Sequence, residues 1–522
     1  MVSIVLVGLA LRLQGLGQVG FNEDEILKVE AAQSYLHGDF SVNLEHPMLM
    51  KSMVAVSMVA CNWWNHHAGR KRPITDETSV RLPNVILGSL TSIVLFLIAQ
   101  EFFGTEVGLL AALLWSIGTI AIMDNRIAKE DTLLVFFTWL AYYFYVRAKH
   151  TSATQPRLAE KFYAASGASF GLMLASKYFP HYLGLIFIYY YLLGDKQKYP
   201  PRRRRDSILL FGSAALVFLL ADPVILLPST WRYMLHYVRG SAVVHHGYLM
   251  MGQLRYEDLA HFAHGMPVYF YLLFLMIKTP PPILGAFVIG LIEVIRRRRQ
   301  AGASFILFMF LLWIVPFSLL SVKWLRWMLS WMPTVYIIAA VGLTKVLGWH
   351  RSLFQSRSPQ PLEAVAVAIL AAVFLVQPLW VAAKSAPFYT LYLNPLGWRP
   401  AGCYFPHDEL NDTGLLPAIR EICAEAPQGA TVAGESKPVF AYYLHRFHRD
   451  DLHYVETTND IQTTGKNDPY FVAQRGRLYL ENSIFIHEME NQARPEWTVN
   501  LRGISAAQVY HLDRLSELRA SR

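Results

Sequence analysis

Long, unbroken apolar runs dominate the first three quarters of the chain. Leu82 to Gln100 reads LPNVILGSLTSIVLFLIAQ, and Ser207 to Leu227 and Leu362 to Ala383 are of the same kind. Each is about 20 residues, enough at 1.5 Å per residue to cross a hydrocarbon core about 30 Å thick. About eleven crossings can be placed, at 2–19, 82–102, 106–123, 132–147, 162–178, 180–194, 207–227, 280–295, 303–320, 328–347 and 362–383. From Lys384 on the chain is much more polar, and GATVAGES followed by FAYYLHRF reads there as strand, turn and helix. The pattern predicts an all-α polytopic membrane domain over 1–383 and a small α/β domain over 384–522, with no internal repeat and no long low-complexity segment.

Basic residues orient the spans. The two RRRR runs, Arg202–Arg205 and Arg296–Arg299, each lie beside an apolar run. A cytoplasmic N-terminus places 147–161, 195–205, 296–302 and 345–361 inside, in accord with the positive-inside rule; the acidic loop from Glu101 to Glu106 is the exception. Residues 20–81 then form a large first external loop, 124–131 (DNRIAKED) a second, 228–279 a third and 321–327 (SVKWLRW) a fourth. The third carries an aromatic stretch, MPVYFYLLFLMIKTPPP, suited to the membrane interface. The domain after Lys384 is external, so the expected location is the plasma (inner) membrane.

Composition sharpens this reading. The chain is 54% hydrophobic and 16% charged, with a mean hydropathy of +0.28; soluble chains carry about 25% charged residues. A net charge of +9 could suggest nucleic acid, but the basic clusters flank apolar runs and are accounted for by orientation. Cys61, Cys403 and Cys423 make neither a disulfide framework nor a metal site. The N-terminal apolar segment has no small-residue cleavage site after it and reads as a retained helix.

Ionisable residues gather on the external side. Glu23, Asp24 and Glu25 follow the first apolar segment, with Asn22 and Glu25 spaced for a capping box. Capping explains the acids, but not the His46-Pro47-Met48-Leu49-Met50-Lys51 element that follows. In DNRIAKED, Arg126 precedes Asp131; membrane-boundary charges alone could give that pattern. Lys177 at a span end could simply snorkel. His245, His246 and Tyr248 lack a third ligand at a metal-binding spacing. Lys278 sits at a helix start, and Lys323 and Arg326 at an external helix end. Singly these are bland. Together they place carboxylates and cations on one rim of a helix bundle, where cations could bind a lipid phosphate and a carboxylate could act as a base.

These motifs resemble those of the GT-C glycosyltransferases, specifically the protein O-mannosyltransferase-like enzymes (glycosyltransferase family 39) and, more distantly, the lipid A aminoarabinose transferases. The family's Asp-Glu pair is similar to Asp24-Glu25, and its His-Pro-Pro-Leu-x-Lys element to His46–Lys51, with Met48 replacing the second proline. Its Arg-x4-Asp element matches Arg126 to Asp131, its Thr-Lys-Tyr element Ser176-Lys177-Tyr178, and its Tyr-rich helix leading to Lys-Thr-Pro the stretch Tyr269 to Pro280. Arg326-Trp327 and Pro333 match an Arg-Tyr-x-x-Pro element loosely. The resemblance covers roughly 10–345, and the domain after Lys384 does not look like the family's sugar-binding repeats.

The resemblance implies inverting transfer of a sugar, a mannose-like hexose, from a polyprenyl-phosphate donor to an acceptor hydroxyl on a protein, glycan or lipid. Asp24 would be the general base and Glu25 would position acceptor or base. Arg126, Lys177, Lys278 and Arg326 would bind the donor phosphate. His46, Lys51, Asp131, His245 and Tyr248 would be structural or acceptor-side. The family pattern gives Glu23 no role. No cofactor is required; a divalent cation at Asp24 is compatible with the chemistry, though nothing in the spacing demands one. Membrane lipids are the other expected partners, and nucleic acid is not. The rival reading is a transporter or flippase of a lipid-linked substrate, which predicts ionisable groups at mid-helix and inverted repeats. Asp222-Pro223 is the nearest candidate, near the outer end of its span.

The orientation is directly testable. A cysteine placed at residue 470 should react with an impermeant reagent on intact cells, and one placed at residue 203 should not. Labelling at 203 would reverse the topology.

Overall fold

In the computed structural model the described residues are 1–68, 71, 73–178, 203–238, 247–256, 265–354, 365, 368–370, 372–457 and 470–511. The chain opens with α1 (Val2–Leu13), α2 (Glu23–Leu36), α3 (Met48–His67), α4 (Asp76–Phe103), α5 (Thr105–Ile117), α6 (Thr119–Asn125), α7 (Glu130–Thr151) and α8 (Pro156–Leu174). Long helices continue at Arg204–Ala221, Pro281–Arg296, Ala301–Leu319 and Met332–Phe354, with Gln377–Ser385 running across the 383/384 boundary. The described parts of the expected crossings fall mainly on helices; the crossing at 180–194 lies outside the described residues, and that at 362–383 lies partly outside them.

Length and apolar composition select four helices able to cross a membrane: Asp76–Phe103, Ala301–Leu319, Met332–Trp349 and Ala368–Ser385. Up to six qualify if each of two bent pairs is one span. The chain is a multi-pass membrane protein, and the expected count of eleven exceeds what these helices establish. The shortfall has physical reasons: Pro281–Arg296 has only 16 residues, and α8 and Arg204–Ala221 begin with clustered charged residues. One bent pair is α1 with α2, which turns by 89°. The other is α5 with α6, bent by 59° at Gly118. A Cβ on Gly118 would lie 2.0 Å from the Tyr336 hydroxyl, so the bend is packed against the helix Met332–Phe354.

That helix crosses Pro281–Arg296 at backbone contact. A Cβ on Gly290 would stand 1.8 Å from the Ile338 carbonyl, and one on Gly342 1.9 Å from that of Ala286. Small residues at a crossing let helices gain dispersion contact where lipid offers no hydrophobic drive.

Between the helices lies a hairpin, β1 (Gly247–Met250) with β2 (Gln253–Tyr256), closed by Met251 and Gly252 at φ 50° and 81°. The polar C-terminal part contains the strand, turn and helix read from its sequence, as β3 (Thr431–Gly434) and the helix Lys437–Arg446. With β4 (His453–Glu456), β5 (Tyr470–Gln474), β6 (Trp497–Leu501) and β7 (Ile504–His511) it forms a five-stranded sheet of order β4-β3-β5-β7-β6. β3 runs parallel to β4 and β5, whereas β7 is antiparallel to β5 and β6.

This sheet domain does not hang free. One apolar cluster runs from Phe21, Ile26, Val29 and Val54 of the first loop into Leu415, Ile419, Phe440 and Val472. Polar ties reinforce it. The Tyr443 hydroxyl donates to Glu77 at 3.0 Å and accepts from the Phe21 N–H at 2.8 Å, and Arg446 pairs with Glu77 at 2.8 Å. Residues 20–81 and the C-terminal domain therefore form one layer over the same end of the bundle.

The crossing predicts a sharp sensitivity. Gly342→Val should lower the melting temperature in detergent by an amount corresponding to about 1–3 kcal/mol or more of overpacking strain, whereas Gly348→Ala, with open space around it, should leave it unchanged. Equal melting temperatures would argue against the close crossing.

Candidate active site

The site begins with the cap of α2. Asn22 Oδ1 accepts from the Glu25 N–H at 3.0 Å, and Glu25 Oε2 accepts from the Asn22 N–H at 3.1 Å, which is the capping box read from the sequence. Glu25 does more than cap. It is fully buried and pairs in both oxygens with Arg81, at 2.7 and 2.6 Å, while Oε1 also accepts from the Ala128 N–H at 2.9 Å. Arg81 in turn donates to the carbonyls of Leu16, Val19 and Gly20. The acceptor capacity of Glu25 is thus spent on its own helix cap, on Arg81 of α4 and on the loop before α7. Glu25 therefore holds these elements together, with both oxygens occupied.

Asp24, one residue earlier, points the other way. Its Oδ2 is 2.6 Å from Lys129 Nζ and 3.2 Å from Arg326, and its side chain is 36% exposed. Burial opposes its ionisation, but Lys129, Arg326 and then Lys28 more than offset that and hold the carboxyl well below the usual carboxylate range. Arg326 also lies 4.8 Å over the Trp324 ring. Asp24, Asp124, Lys129, Asp131, Trp324, Arg326 and Asp408 line one cleft, with Thr390, His407 and Asn411 closing it from the C-terminal side.

The other expected residues fall into three groups. Asp131 lines this cleft and pairs with Lys177 at 2.8 Å, so Lys177 meets the cleft through Asp131. Arg126 is turned away from it: its guanidinium donates to the carbonyls of Arg12 at 2.7 Å and Gln14 at 2.8 Å, and lies 5.2 Å over Tyr389. It thereby caps the end of α1 and lines a neighbouring cleft. Lys278 is buried against Glu409 and the Thr390 carbonyl, tying the helix Phe270–Lys278 to the C-terminal segment. Neither Arg126 nor Lys278 stands where Asp24 stands.

His46 and Lys51 belong to a buried network behind the cleft. Lys51 Nζ donates to the Asn43 and His46 carbonyls at 2.6 and 2.8 Å. His46 lies 3.9 Å from Glu130, which pairs with Lys28 at 2.6 Å. Burial lowers the Lys51 ammonium to about 7, with Lys28 adding repulsion. Tyr248 is buried, stacked on Trp324 with ring centroids 5.3 Å apart, and its hydroxyl donates to the Lys323 carbonyl, so it buttresses the cleft wall. His245 lies outside the described residues. Asp222 sits at a helix end, where it accepts from the Met48 N–H at 2.9 Å and from the Tyr178 hydroxyl at 2.6 Å.

Sequence reading missed Lys129, Asp124 and Asp408. Lys129 and Asp124 were legible within DNRIAKED, but the spacing gave no reason to prefer them over Arg126. Asp408 lies far along the chain in PHDEL, and nothing local points to it. Glu23 also departs from expectation. Its carboxylate is 2.9 Å from Arg477, and its N–H donates to Asp412 at 3.0 Å. Residue 23 therefore pins α2 to the C-terminal domain, and a change there is no neutral control. Among the described residues, no group of three or more His, Cys, Asp or Glu side chains is arranged to hold a metal ion.

Residues 74–237 match the family model described as dolichyl-phosphate-mannose-protein mannosyltransferase. No curated protein sequence matches the chain. ArnT from Cupriavidus metallidurans, solved bound to undecaprenyl phosphate, is similar in structure with TM-score 0.56 and 14% identity, over 98% of this chain and 97% of that one. The archaeal oligosaccharyltransferase AglB from Archaeoglobus fulgidus, solved with an inhibitory peptide and a dolichol-phosphate, matches with TM-score 0.52 and 11% identity, over 97% and 74%. At these identities the likeness establishes the fold. It is the GT-C fold that the motifs resembled.

The roles of the two neighbouring acids should separate on mutation. Glu25→Gln leaves Arg81 buried with a broken partner and should cost about 3–5 kcal/mol of stability. Asp24→Asn keeps the cap and breaks a pair whose carboxylate is partly exposed to solvent, so it should cost clearly less than Glu25→Gln. Equal thermal losses for both variants would contradict the division.

Proposed function

We propose that the protein is a glycosyltransferase of the external membrane face, moving a sugar from a polyprenyl-phosphate carrier to an acceptor hydroxyl. The observation that carries this reading is the convergence of Lys129 and Arg326 on Asp24 at an open cleft. The family match and the shared fold support the transferase class. A lipid-linked donor suits an external site, since nucleotide-sugars are made in the cytoplasm.

The chemistry follows from charge. A phosphodiester-linked sugar brings negative charge to the site, and Lys129 and Arg326 are the cations of this cleft that face Asp24. Arg326 offers a forked donor set matched to phosphate oxygens, Lys129 a point charge. As they turn to the phosphate, their pull on Asp24 weakens and the carboxylate regains basicity. An acceptor hydroxyl then attacks the anomeric carbon. The bond from that carbon to the phosphate oxygen breaks, the hydroxyl proton passes to Asp24, and the lipid phosphate leaves held by the two cations. A single displacement inverts the anomeric carbon. Arg126, Lys177 and Lys278, expected as phosphate ligands, act in this reading by fixing α1, Asp131 and the C-terminal segment. The sugar is a hexose of the mannose type, and the acceptor a protein, glycan or lipid hydroxyl. The remaining crossings, the external C-terminus and the inner-membrane location complete the proposal.

Purified variants test it with polyprenyl phosphate and its sugar conjugate. Lys129→Ala and Arg326→Ala should each weaken donor binding by about 2–5 kcal/mol, while Arg157→Ala on the exposed end of α8 should not. Asp24→Asn should bind donor normally and turn over about 10²–10⁴-fold more slowly. Unchanged donor affinity in both cation variants would reject the site.

A further inference from the structure

The cleft holds more carboxyl groups than transfer to a hydroxyl requires, and two of them answer to no cation within hydrogen-bond reach. Asp124, at the end of α6, is 6% exposed, and its Oδ2 is buried without a hydrogen-bond partner among the described residues. Asp408, in the helix Pro406–Leu410 of the C-terminal part, faces the same cleft. Its Oδ1 accepts from the Leu325 N–H at 3.1 Å, whereas Oδ2 is buried and unpartnered among the described residues. A buried acceptor left unmatched is costly and calls for an explanation in ligand or function. Ionised carboxylates at these positions would repel the donor phosphate, so they do not mark the phosphate end of the cleft. That end belongs to Lys129 and Arg326.

We propose that Asp408, a carboxylic acid supplied by the C-terminal domain, binds a hydroxyl of the transferred sugar through its free oxygen, with Asp124 opposite as a second hydroxyl partner. This rests on the glycosyltransferase reading and deepens it by naming the residue that recognises the sugar. It also gives the external domain a part in the site: without the Pro406–Leu410 turn the cleft lacks a wall. With Oδ1 fixed on the backbone, the proton sits on Oδ2, and a neutral acid there can donate to one ligand oxygen without repelling phosphate.

The charge environment favours that state. Burial, the largest influence, pushes the Asp408 carboxyl up to about 7; the Leu325 N–H and Arg326 oppose it, and Glu409 adds to it. The other ionisable groups around it are Asp24 from α2, Asp124, Lys129 and Asp131 from the second external loop, and His407 beside it. Across the adjoining cleft stand Glu25, Arg81, Arg126, Tyr389 and Asp412. A carboxyl raised in this way stays protonated below about pH 7 and ionises above it. Its hydrogen-bond donation is therefore present at pH 6 and lost as pH rises through 7.

The test compares binding of bare polyprenyl phosphate and polyprenyl phosphomannose to wild type, Asp408→Asn and Asp408→Ala between pH 6 and pH 9. Wild type should bind the sugar-bearing lipid about tenfold more tightly at pH 6, the effect of about 1.4 kcal/mol, and lose that gain above pH 7. Asp408→Asn, whose amide also donates, should keep the gain at every pH. Asp408→Ala should lose it, with bare-lipid affinity within about threefold of wild type. A gain that survives in Asp408→Ala overturns the proposal, as does one that still falls with pH in Asp408→Asn, which would point to another titrating group of the cleft, Asp124 or Lys129. Loss of bare-lipid binding in Asp408→Ala would make the residue structural and overturn it too. Wild type that binds no lipid phosphate would instead defeat the glycosyltransferase reading itself.

Discussion

The buried pair of Glu25 and Arg81 is the constraint on which this end of the bundle depends. It joins four pieces that would otherwise move independently: the exit of α1 through the Leu16, Val19 and Gly20 carbonyls, the first turn of α2, the start of α4, and the second external loop through the Ala128 N–H. A desolvated ion pair is weak evidence for stability in itself, because removing both charges from water offsets their attraction. Its value here is geometric. A bidentate guanidinium and a doubly used carboxylate accept one arrangement only, and that arrangement puts Asp24 beside Lys129.

From that fixed corner the site is assembled by elements far apart in the chain. Lys129 and Asp131 come from the second loop, Arg326 and Trp324 from the fourth, and His407, Asp408 and Asn411 from the C-terminal domain. Arg477 reaches back to Glu23, and Lys278 to Glu409. The C-terminal domain is thus bound to the helices by these ion pairs, and Trp324, Tyr248 and His407 pack together as an aromatic wall beside the cleft. Ion pairs placed this way let the cleft be charged and open while its surroundings stay rigid, which is the condition for electrostatic preorganisation.

The apolar runs were legible because a hydrocarbon core demands them, and the helices follow those runs closely. Asp24 was legible too: a carboxylate just beyond an apolar helix, with a cap explaining its neighbour Glu25 but not itself. The cations that face Asp24 were harder. Arg126 and Lys129 lie three residues apart in one short loop, and only the turn after α6 decides that Arg126 folds back onto α1 while Lys129 faces Asp24. Lys278 was read as an isolated cation because its partner, Glu409, lies 131 positions away. Asp408 could not be found from its surroundings, since its meaning arises from a loop 83 positions earlier. Periodicity reports local burial; it carries no information on pairings of that range.

In the proposed mechanism, Lys129 and Arg326 exchange Asp24 for a lipid phosphate. A structure of the protein with bound polyprenyl phosphate measures this directly. The account predicts the phosphate between the Lys129 ammonium and the Arg326 guanidinium, with the ion pairs of both to Asp24 lengthened. A phosphate held at Arg126 or Lys278, with Asp24 still paired to Lys129, would contradict it.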